Sequence, residues 1–135
     1  MQQSPNQSSG APGCGLLGVL AAAGVAGAAA VALAAVAAHR VESPSLATAA
    51  TMLMIHAAAV VALVAVAMRM AQPLAWTIVA GGMLASASLF SGAISYQAFM
   101  GAPIIKGAAP LGGTTLIVCW VAVALLGIRE ALRTR

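Results

Sequence analysis

Charge is nearly missing from this chain of 135 residues: six Lys or Arg, two acidic residues and two His, 6% charged against 62% hydrophobic. A soluble domain keeps about 25% charged residues to hold its surface in water, so lipid must be the solvent here. The mean hydropathy of +1.03 says the same. Six scattered basic groups form no cluster dense enough to neutralise phosphates, which excludes nucleic acid as a partner. Cysteine is equally scarce. Cys14 precedes the first apolar run and Cys119 falls inside the last, so the two thiols sit at different depths and make no disulfide framework. No Asp, no Glu and no second His accompanies His56 within any apolar run. A metal set is therefore not expected: His39 and His56 differ in depth by roughly 15 Å on regular helices, too far apart to share an ion.

Apolar length is what the chain has. The opening MQQSPNQSSGAPG is polar and reads, over residues 1–15, as a disordered tail. Four runs long enough to cross a hydrocarbon core of about 30 Å follow, at 16–38, 46–68, 74–99 and 110–128. Together 16–128 make the membrane domain, and 129–135 a basic tail. The first run ends in AVAAH, which resembles a signal-peptide cleavage site. The absence of a basic region before it and its length favour a retained helix. Pro44, Pro73 and Pro110 punctuate the turns. The expected fold is an all-α membrane protein, a four-transmembrane-helix bundle with both termini on one side. Arg69, Arg129, Arg133 and Arg135 lie on that side and Arg40 and Lys106 on the other, so the positive-inside rule makes the termini cytoplasmic.

Small residues dominate where helices must meet. Lipid removes most of the hydrophobic drive between spans, leaving close packing and interhelical hydrogen bonds. The first run is mostly Ala, Gly and Val, and Gly81, Ala85, Ser88, Gly92 and Ser95 recur at helical spacing in the third. That stripe reads as a packing seam, with a serine-lined pathway as the alternative.

Several stretches together resemble a known family. AAVAAHRV resembles a Gly/Ala-rich first helix ending in "GAH", and MIHAAAVVAL a "YHALALL"-type second helix. LFSGAISYQAFMG followed by APLGGTTLIVCWVAVAL resembles a third helix of the "LFSGSLYxxAxxG" kind and a fourth beginning "xPxGGxxxIxGW". In that order they resemble domain-of-unknown-function family 423, small four-helix membrane proteins that include the animal transmembrane protein 256 group. The resemblance implies membrane location and fold and brings no activity with it. The chain departs from the pattern before His56, where LATAATMLMI replaces the usual aromatic and polar residues, and at Cys119–Trp120, where the family has "GW".

Two polar groupings stand out. Counting residues along each run puts His56 about 15 Å from the nearer end of its span, level with Ser88 and Trp120. An intramembrane ionisable residue raises a functional suspicion. Lipid disfavours the imidazolium, so the ring is expected to be neutral, accepting from the indole N–H and donating to Ser88 or a backbone carbonyl. The second grouping lies at the non-cytoplasmic end: His39, Arg40, Tyr96, Gln97, Gly112 and Gly113, with Glu42 and Lys106 in adjoining loops. It reads either as helix-end charges, an interfacial anchor and tight packing, or as a shallow site for a lipid headgroup or small anion. A Ser88–His56 dyad would have no orienting acid and little water, so no enzyme is expected. The sequence points to a structural or accessory component of a membrane assembly, with a membrane-protein partner or a second copy beside it in the lipid bilayer. The Ala-rich, aromatic-poor composition favours a bacterial inner membrane. No cofactor is expected. The alternative is a proton or small-solute transport component using His56.

Overall fold

The computed structural model describes residues 13–40, 43–70, 72–103 and 105–133. Four helices follow one another: α1 (Cys14–His39), α2 (Pro44–Ala67), α3 (Pro73–Met100) and α4 (Ala108–Arg133). All four are long and apolar enough to cross a membrane. At about 1.5 Å per residue the shortest, 24 residues, is some 36 Å long, which exceeds the hydrocarbon thickness. The expectation of a polar tail over residues 1–15 falls largely on residues 1–12, outside those described; from Cys14 the chain is already helical.

Several helix ends have a local cause. Ser43 caps α2 by accepting the Leu46 N–H at 3.3 Å, and Pro44 occupies the first turn, where a missing N–H costs nothing. Pro73 opens α3 in the same way. Gly101, at φ +74°, closes α3 in the left-handed conformation that residues bearing a Cβ avoid. α4 runs past Ile128 to Arg133, because the expected basic tail begins with good helix formers and is tied by a Glu130–Arg133 pair at 3.7 Å. Thr48, Thr51, Thr77, Thr114 and Thr115 each donate to the carbonyl four residues earlier, which satisfies their hydroxyls without water.

Helices adjacent in the chain pack side by side and the backbone of α1 also approaches α3, while among the described residues the α4 backbone lies close to that of α3 alone. α2 and α3 form the centre. Val60, Val64 and Met83 are fully buried there, and Ser91 on α3 donates to the Ala49 carbonyl on α2 at 2.9 Å. α1 contributes Leu16, Ala23 and Ala30, one buried residue every seven, a single coiled-coil-like seam. α4 contributes Ala108, Gly112, Leu116 and Cys119. At Gly112 the backbones nearly touch. A Cβ there would lie 2.7 Å from the Phe90 nitrogen and 2.9 Å from the Ser86 oxygen.

The small-residue stripe of α3 is only partly a seam. A Cβ on Gly81 would lie 3.8 Å from Val19 of α1, but Ser88, Gly92 and Ser95 line an apolar groove between α1 and α3.

Candidate functional site

His56 lies midway along α2 and is 6% exposed. Its Nδ1 is 2.7 Å from the Met52 carbonyl, one turn back on the same helix. Its Nε2 is 3.3 Å from the indole Nε1 of Trp120, midway along α4. The two rings meet edge to face, with centroids 6.2 Å apart and planes at 63°.

These contacts fix the state of the ring. An indole nitrogen can only donate, so Nε2 must be the acceptor and carry no proton. A carbonyl can only accept, so Nδ1 must carry one. The geometry therefore selects a neutral imidazole protonated at Nδ1. An imidazolium would set two N–H groups against each other. Neither partner relays protons, since the indole N–H is not released at ordinary pH and the peptide oxygen has no proton to give. Chemically the arrangement is a tie between helices.

The structure brings His56 and Trp120 together and leaves Ser88 out. Ser88 is exposed, on the groove facing α1, and of the two expected acceptors, Ser88 or a backbone carbonyl, it is a carbonyl, that of Met52, that meets the ring. Counting residues gives height along a helix, but each residue also turns about 100° around it, and Ser88 points the wrong way. The serine that does cross between α2 and α3 is Ser91. Its signal in the sequence was weak, because it stands one position outside the recurring small-residue stripe.

The second grouping does not converge. His39, Arg40, Tyr96 and Gln97 are exposed, and among the described residues no side-chain hydrogen bond or ion pair joins them. Gln97 shares a shallow pocket of about 240 Å³ with Lys106 and Pro110. Gly112 faces the α3 backbone and serves a close crossing, whereas a Cβ on Gly113 would lie 3.6 Å from the Phe90 ring, an ordinary contact. Glu42 lies outside the described residues. Among the described residues two buried polar atoms have no hydrogen-bond partner: the Ser95 Oγ of the small-residue stripe and the Trp76 Nε1, which the sequence did not single out. Among the described residues no three His, Cys, Asp or Glu converge as metal ligands would.

No solved structure matches the chain. The family model described as "Protein of unknown function (DUF423)" matches residues 16–113, from the first turn of α1 to the opening of α4. The match covers α2 with His56 and the whole of α3, and stops short of Trp120. With four membrane-spanning helices and most of its length matched, the chain belongs to the DUF423 family.

Proposed function

We propose that this protein is a non-catalytic structural or accessory component of a membrane assembly, set in a bacterial inner membrane with both termini cytoplasmic. The observation that carries the reading is the outer face of α1. Ala21, Gly24, Ala28, Ala32 and Ala35 are exposed, three or four residues apart, on the side opposite the buried Leu16, Ala23 and Ala30. Small residues let helix backbones approach closely and are enriched where one span meets another. A face of this composition suits a neighbouring helix from a partner protein or a second copy.

The His56–Trp120 tie supports the same reading, because it engages both imidazole nitrogens with groups that do not exchange protons. Four basic side chains on the side of the termini against two on the other support the orientation.

The test is purification in a mild detergent after crosslinking from a cysteine placed at Ala28. The expected product is a crosslinked species containing a second polypeptide or a second copy. Recovery of a lone monomer with no crosslink would end the accessory reading. A wild-type proton or solute flux in proteoliposomes that His56→Ala abolishes would replace it with transport.

A further inference from the structure

We infer that the groove between α3 and α4 holds one acyl chain of an anionic phospholipid, with the phosphate on Arg129. The groove follows from the helix crossing. α3 and α4 approach closely at Gly112, while beyond Cys119 α4 keeps only partly buried side chains, Val123 and Leu126, against the core, on the half toward the end of the bundle where α1 begins and α4 finishes. The opening has a volume of about 410 Å³. Ile78 and Val79 form one wall, Ala122, Leu125 and Leu126 the other, and Arg129 stands at the mouth.

The mouth has the chemistry of a phosphate site. Arg129 donates from Nη2 to the Gln72 Oε1 at 3.2 Å, across from α4 to the start of α3, and this leaves most of its five donors for another acceptor. Among the described residues no carboxylate pairs with it, and Glu130 turns to Arg133. A planar guanidinium matches phosphate oxygens two at a time. From Arg129 to Ala122 is about 10 Å along the helix, within the roughly 15 Å depth of one leaflet, so a lipid with its phosphate at Arg129 lays its chain along the apolar walls.

Charge decides between this occupant and a second copy. Copies inserted in the same orientation carry Arg69, Arg129 and Arg133 against the single acid Glu130 at that depth, so another copy seated here would bring a net positive set to a cation. An anionic headgroup reverses the sign of that contact.

The experiment reconstitutes the full chain in nanodiscs of equal phosphatidylglycerol and phosphatidylcholine, then reads the lipids that stay bound by native mass spectrometry. The wild type should retain phosphatidylglycerol in preference to phosphatidylcholine. Arg129→Gln should lower that preference about fivefold, the effect of one basic residue at an anionic surface. Ala122→Phe, which fills the groove without altering charge, should lower retention of the lipid. Arg133→Gln, with the same charge change outside the groove, should leave both unchanged. Equal loss in Arg133→Gln, no headgroup preference in the wild type, unchanged retention in Ala122→Phe, or a second protein chain bound in place of lipid would each overturn the proposal.

Discussion

Trp120 donates its indole N–H to His56 Nε2 across 3.3 Å, and this bond joins α2 to α4 although, among the described residues, the backbones of the two helices are not neighbours. Trp120→Phe keeps an aromatic ring and removes the donor. Interhelical hydrogen bonds in membranes average about 0.6 kcal/mol and reach about 1.7. The expected loss lies in that range, measured by unfolding in mixed micelles. In a double-mutant cycle with His56→Ala the two losses should be less than additive. Strict additivity would mean that the bond contributes nothing to the fold.

The tautomer is open to direct observation. Nitrogen NMR of the imidazole in lipid should show a protonated Nδ1 and a bare Nε2, because the two partners permit no other neutral form. The link exists only while the ring is neutral. An Nε2-protonated ring at neutral pH would show that the tie is not formed.

Gly112→Ala should be costly for its size. The new methyl would lie 2.7 to 3.0 Å from backbone atoms of Phe90 and Ser86, which cannot turn aside as a side chain can. Overpacking of this kind typically costs about 1–3 kcal/mol, here by prising α4 from α3. Gly127→Ala, on the same helix with nothing within 4 Å, is the control and should be neutral or slightly stabilising. Thermal unfolding of the two variants side by side checks this, and equal stability would contradict the close crossing.

Ser91 and Ser86 make a second matched pair. Ser91 donates from α3 to the Ala49 carbonyl on α2, whereas Ser86 donates within its own helix to the Gly82 carbonyl. Ser91→Ala should loosen α2 from α3 by about 0.6–1.7 kcal/mol. Ser86→Ala should change stability by less. A reversed order in denaturant-induced helix separation would refute the assignment.

The two thiols report orientation and burial in one experiment. Cys14 is exposed at the start of α1, and Cys119 is buried against α3. With the termini in the cytoplasm, a membrane-impermeant maleimide should leave Cys14 unmodified in intact spheroplasts and label it after lysis. Cys119 should react only after denaturation. Labelling of Cys14 from outside would invert the topology.

The helices were readable because lipid imposes a simple rule: a span must be apolar and long, and prolines and glycines mark its ends. α4 outran expectation furthest, since Arg129 to Arg133 reads as a tail by charge but continues the helix by propensity and pairing. The height of His56 and its meeting with Trp120 were also readable, from counting along regular spans. Ser88 was misplaced because counting gives no azimuth until the packing faces are known. The faces were hard to read because α1 to α3 are apolar nearly all round, with no polar side to say which way is out. Gly112 carried a signal that could be read two ways: a glycine at a helix start suits an anion as well as a close crossing, and only the position of Phe90 decides.

The side-by-side packing of successive helices also bears on how the protein is made. Each span leaving the insertion machinery finds its dock, the preceding helix, already in the bilayer. No helix must wait for a distant partner before it can be held, which keeps loop-closure costs low and assembly fast. Two ties break the order: α1 meeting α3, and Trp120 reaching back to His56. The second cannot form until the last span has entered. Until then the imidazole has no indole donor, so the arrival of Trp120 marks the completion of the bundle.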